Sequence, residues 1–167
     1  METREKVRTA KDSNSEVRRR HDRQRTNGSG ADMSQIAEKL RGIAREIVAD
    51  GRPLGFFAAF LPDDSPGVWD VVVSAPWAVR DRSAAIHYIV RKLHATLTRP
   101  ELMKIAGVIV LDKTPAPLAA RLGSVDIEEN VTASDVEIND ITVRAAYVFV
   151  LKLPRVRKQK LISRQVD

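Results

Sequence analysis

The chain holds three histidines and no cysteine, which narrows the chemistry open to it. A disulfide frame and a thiolate metal site are both excluded. His21 lies among arginines near the start. His87 and His94 are seven residues apart in a stretch with helical periodicity, so they share a face but stand about 10.5 Å apart along the axis. One metal ion takes helical ligands nearer a single turn apart, so this pair does not form a chelate and no metal site is expected. Ser83 precedes His87 by four residues, within reach of an imidazole. A nucleophilic serine also needs an orienting third group and a sharp turn of the Gly-x-Ser-x-Gly kind, and neither is present. These residues read as the polar surface of a helix.

Asp112, Lys113 and Thr114 are a stronger candidate. They follow the apolar run Ile105 to Leu111, and loops at the carboxyl ends of strands often hold ligands. A short helix behind them could present amides to an anion, although Thr114-Pro115 also reads simply as a helix start. Asp70 and Asp112 could suggest two carboxylates around a metal, but the acidic residue two before a lysine that such nucleases carry is missing. Asp63 and Asp64 lie between Pro62 and Gly67, where turn formation explains them. No phosphate-binding glycine loop or dinucleotide fingerprint occurs, so no cofactor is expected. Trp69 and Trp77 fit packing roles, with Trp77 an interface anchor if exposed.

The elements that would position these groups can be read from periodicity. Ile36, Leu40, Ile43, Ala44 and Ile47 form one helical stripe, ended by Gly51 and Pro53. Leu54–Leu61 and Val68–Ser74 flank the turn residues 62–67 and predict a hairpin. Ala75-Pro76-Trp77 reads as an exit loop. A second helix over 81–98 buries Ile86, Ile89, Val90, Leu93 and Leu97, and a helical turn is expected over 100–104. Ile105–Leu111 has the unbroken apolar character of a central strand covered on both faces. A short helix over 115–122 ends at Gly123. Val125–Val131 alternates like a half-exposed strand, and Asn139-Asp140 joins a last hairpin that runs to Leu151. The order predicts an α+β fold: one mixed sheet of five or six strands, mostly antiparallel hairpins with one helical crossover, carrying two main helices and one short helix.

Charge divides the chain into three. Residues 1–32 hold nine Lys/Arg and six Asp/Glu, and residues 151–167 hold six Lys/Arg and one acid. The total is +6, which leaves −2 for residues 33–150. The composition predicts a disordered basic N-terminal tail (1–32), one α+β domain (33–151) and a basic C-terminal tail (152–167). Met33 offers an alternative translation start. No secretory leader or membrane-length apolar run is evident, so a cytoplasmic protein is expected.

The leading functional expectation is a non-enzymatic interaction module. Its body would contact a protein partner or itself, and Arg18, Arg19, Arg20, Arg23, Arg25, Arg155, Arg157, Lys158 and Lys160 would add attraction to an acidic partner. The same cations could instead engage nucleic acid without sequence preference. All eight aromatic residues lie between 56 and 149, so the tails cannot stack bases. A third expectation is a small enzyme or ligand-binding domain with its site at Asp112–Thr114.

Overall fold

The computed structural model describes residues 33–153. The expected basic tails therefore lie outside the described residues, apart from Lys152 and Leu153. The chain divides into two compact units, Met1–Glu38 and Lys39–Asp167. Of the first, the described residues include only the opening turns of a helix; the second holds the sheet.

That helix, α1 (33–49), buries Leu40, Ile43, Ala44 and Ile47 completely. It closes at Gly51, whose φ of 80° turns the chain left-handed. The Gly51 N–H then donates to Val48 O (3.0 Å) and the Arg52 N–H to Ile47 O (3.2 Å), which satisfies the last carbonyls. β1 (Phe56–Pro62) and β2 (Trp69–Ser74) form the predicted antiparallel hairpin. The crossover runs through α2 (Pro76–Arg80), α3 (Arg82–Thr96) and α4 (Arg99–Leu102) to β3 (Ile105–Val110), which lies parallel to β2. The Asp81 carboxylate caps α3 by accepting from the Ala84 N–H, and Thr98 with Glu101 makes a reciprocal capping box on α4. α5 (Ala116–Leu122) leads to the hairpin of β4 (Val131–Ile138) and β5 (Ile141–Leu151).

The five strands make one mixed sheet in the order β3-β2-β1-β5-β4, an α+β fold as predicted. β1 is its centre, and all but the last of its residues are buried. The pleat sends Phe56, Ala58 and Phe60 to one face, where they pack with Val72, Val148 and Leu118 of α5. Phe57, Ala59, Val71, Val73 and Phe149, also buried, fall on the opposite face. The buried stripes of α1 and α3, Leu40, Ile43 and Ile47 in one and Ile89 and Leu93 in the other, cover that side. Two salt bridges hold these helices side by side: Lys92 of α3 reaches Asp50 (3.0 Å) and Glu46 (3.3 Å).

Three expectations need correction. Ile105–Leu111 is not central: β3 is an edge strand, and only Val110 in it is buried. An apolar run reports a strand's own composition, not whether a second strand lies beside it. Here the chain leaves β3 through α5 and docks its last hairpin on β1 instead. Val125–Val131 is not a strand. Val125 makes an isolated bridge to Leu151, and the chain then turns at Asp126, whose side chain accepts from the Ile127 N–H (2.8 Å). Of the two acids whose alternation suggested a strand, Glu128 serves α1, pairing with Arg45 at 2.6 Å, and the neighbouring Asn130 accepts from Arg41. Finally, Pro76 and Trp77 open a short helix instead of a loop, since Pro suits a first helical position.

Candidate functional site

Asp112, Lys113 and Thr114 follow β3 directly, at the carboxyl end of the parallel pair β2–β3. Asp112 lines a cleft of about 350 Å³ with Gly55, Ser74, Ala75, Pro76, Val79 and Arg80. Three local choices shape this cleft. The end of β2 supplies Ser74, whose carbonyl accepts from the Gly55 N–H at 3.0 Å. Pro76 breaks the strand and starts α2, which carries Arg80 back over the opening. β3 ends as its ladder closes, with the Leu111 N–H on Val73 O at 2.8 Å, and Asp112 emerges beside them.

The carboxylate of Asp112 has a partner that no local spacing signals. Arg82, the first residue of α3, donates to it and to the Val110 carbonyl at 2.6 Å. One guanidinium thus ties the crossover helix to the end of β3. The ion pair is exposed on both sides, which keeps its contribution to stability small. Chemically the rim offers an exposed Arg80, the Arg82–Asp112 pair and an almost buried Ser74, a set suited to holding a small charged group.

Lys113 and Thr114 do not line this cleft: Lys113 is exposed and Thr114 half-buried. α5 is also a poor anion cradle. It spans seven residues with no side-chain cap, and prolines at 115 and 117 remove two of its first amide donors.

The remaining candidates separate. His87, His94 and Ser83 are exposed on α3. Asp70 stands half-buried in β2, and burial, followed by the charge of Asp64, raises its carboxyl above the usual range. No group of three or more His, Asp or Glu able to hold a metal occurs among the described residues. The cations Arg18, Arg19, Arg20, Arg23, Arg25, Arg155, Arg157, Lys158 and Lys160 lie outside the described residues, as does His21.

Trp77 is half-buried and engaged internally. Its indole N–H donates to Pro53 O at 2.7 Å, and its ring meets Tyr88 edge-on at 5.9 Å. The Arg52 guanidinium lies 4.1 Å from the Tyr88 ring centre and 5.1 Å from that of Trp77. The Tyr88 hydroxyl donates to Asp50, and this bond, with the Lys92 ammonium, lowers the Asp50 carboxyl below its usual range. The cluster staples the end of α1 to α2 and α3. A second cleft, also about 350 Å³, is lined mainly by apolar residues, among them Val48, Leu54, Val125, Ile127 and Val150.

No helix among the described residues is long and apolar enough to cross a membrane. No protein-family model, curated protein or solved structure gives a significant match to the chain.

Proposed function

We propose that this protein is a non-enzymatic binding module whose basic terminal segments draw in an acidic protein partner. The partition of charge carries this reading: the cations concentrate in residues 1–32 and 151–167, around a body of net −2. Aromatic placement supports a protein partner over a nucleic acid. None of the eight aromatic side chains is exposed, and Trp77 and Tyr88 already stack on Arg52. Bases would therefore find no platform, and a mildly acidic body repels a long polyanion.

The test uses the full chain and a variant with Arg18, Arg19, Arg20, Arg155, Arg157 and Lys158 all changed to Gln. Binding of an acidic polyglutamate peptide and of single-stranded RNA is titrated at about 50 and about 200 mM salt. Peptide binding that weakens with salt and disappears in the variant is the expected result. RNA bound more tightly than the peptide would replace this reading with the nucleic-acid one.

The cleft beside Asp112 favours a second reading, a small anionic ligand held by Arg80. Inorganic phosphate should then shift the amide resonances of Ser74, Arg80 and Asp112, and Arg80→Ala should remove those shifts.

A further inference from the structure

We infer that the cleft at the ends of β2 and β3 binds a small aliphatic monocarboxylate, held by Arg80 and Ser74 with its tail against Pro76 and Val79. This rests on the reading of the cleft as an anion site and names the class of anion.

Ser74 carries the first part of the argument. It closes the strand Trp-Asp-Val-Val-Val-Ser and is only 6% exposed. Its hydroxyl has no hydrogen-bond partner among the described residues, yet it is not sealed from solvent. Ser74 lines the cleft, so the cleft is where that hydroxyl opens. Buried polar groups are ordinarily satisfied, and an acceptor oxygen of a ligand would satisfy this one.

Arg80 supplies the charge. It is exposed and makes no hydrogen bond or ion pair with another described residue. Asp112 is neutralised by Arg82, which is also fixed on the Val110 carbonyl. Arg80 and Arg82 against Asp112 leave one positive charge around the cleft, which matches a monoanion. The planar guanidinium fork fits the two oxygens of a carboxylate, and Asp112 would repel the second charge of a phosphate dianion.

The rest of the lining sets the tail. Gly55, Ala75, Pro76 and Val79 bring no side-chain polar atom to the cleft. Its volume of about 350 Å³ stands near the low end of ligand sites, roughly 300–1,000 Å³. A tail of a few carbons is covered there, and a long acyl chain is not.

Butyrate tests this, titrated into the full chain and followed by the amide resonances. Saturable shifts at Ser74, Val79, Arg80 and Asp112 are expected. Acetate, with a shorter tail, should bind about tenfold more weakly. Inorganic phosphate should bind the same place, also about tenfold more weakly, and the neutral butyramide should give no shifts. Arg80→Ala should abolish the butyrate shifts. Ser74→Ala should weaken binding about tenfold, because a hydrogen bond to a charged group is lost. Unaltered resonances elsewhere in each variant check that the fold is kept. Butyrate shifts that survive Arg80→Ala, butyramide bound as well as butyrate, or a Ser74→Ala variant that binds like the wild type would each overturn the proposal. Phosphate bound more tightly than butyrate would overturn the carboxylate class and leave the anion reading standing, whereas no shift with any anion would remove both.

Discussion

Asn139 and Asp140 join β4 to β5 with φ angles of 50° and 65°, the two left-handed positions of a type I′ turn. The pair was legible in the sequence because Asn and Asp tolerate that region better than other side-chain-bearing residues. Asp is still not the best choice at the second position. Asp140→Gly should relieve about 1–2 kcal/mol of left-handed strain and lose about 0.5–1 kcal/mol to added chain entropy. A net gain of about 0.5–1 kcal/mol in urea unfolding is expected. Asp70 makes a pH-dependent case. Its raised carboxyl pKa means that folding favours the protonated form, so the charged form is destabilising above the folded pKa and neutral in effect below the unfolded value of about 3.9. Asp70→Asn should therefore stabilise the protein at pH 7, with the gain vanishing as pH falls below about 4. Paired urea titrations across that range check both parts.

Among the elements, α1 and the residue after it carry several ion pairs beside their buried stripe. Lys39 meets Glu101 at 2.8 Å, Arg45 meets Glu128 at 2.6 Å, and Asp50 meets Lys92 at 3.0 Å. The carboxyl of Glu101 is lowered chiefly by Lys39, that of Glu128 by Arg45, and that of Asp50 by the Tyr88 hydroxyl and then Lys92. Each depressed carboxyl contributes stability that is complete above its unfolded pKa, about 4, and lost as pH falls through the lower folded value. Acid should thus release α1 before the sheet. Protection of the Ile43 and Ile47 amides, relative to the unstructured exchange rate at the same pH, should fall below about pH 4 while that of Val71 and Val73 holds; a simultaneous loss at all four would contradict it. The helix itself was readable from its apolar stripe. Its partners were not, because Glu101 and Glu128 are 62 and 83 residues from the cations they meet.

For the whole molecule, the two faces of the sheet are covered unequally. α1 and α3 share one face, whereas the other carries α5, in which Leu118 is the one buried residue. Leu118 packs in the cluster containing Phe56, Val72 and Val148. Leu118→Ala should cost about 2–5 kcal/mol, measured as a lower urea midpoint, because it removes the one fully buried side chain of α5 from this cluster and leaves a cavity. The same unequal covering leaves Ile109, 42% exposed, open on the α5 side of β3.

Periodicity and turn chemistry alone determined that there are helices near 34–50, 81–98 and 115–122, which the structure places at 33–49, 82–96 and 116–122, together with the two hairpins and the α+β class. Each of these depends on neighbours a few residues apart, and local spacing records that directly. Charge counting likewise located the net positive charge at the ends of the chain. Only the tertiary structure decided that β1 is central and β3 an edge, that residues 126–130 turn to meet α1, and that Arg82 holds Asp112. Those outcomes depend on which strand the last hairpin joins. That choice is made by burial summed over the whole sheet, and the apolar character of Ile105–Val110 is the same whether one side of the strand is open or both are covered.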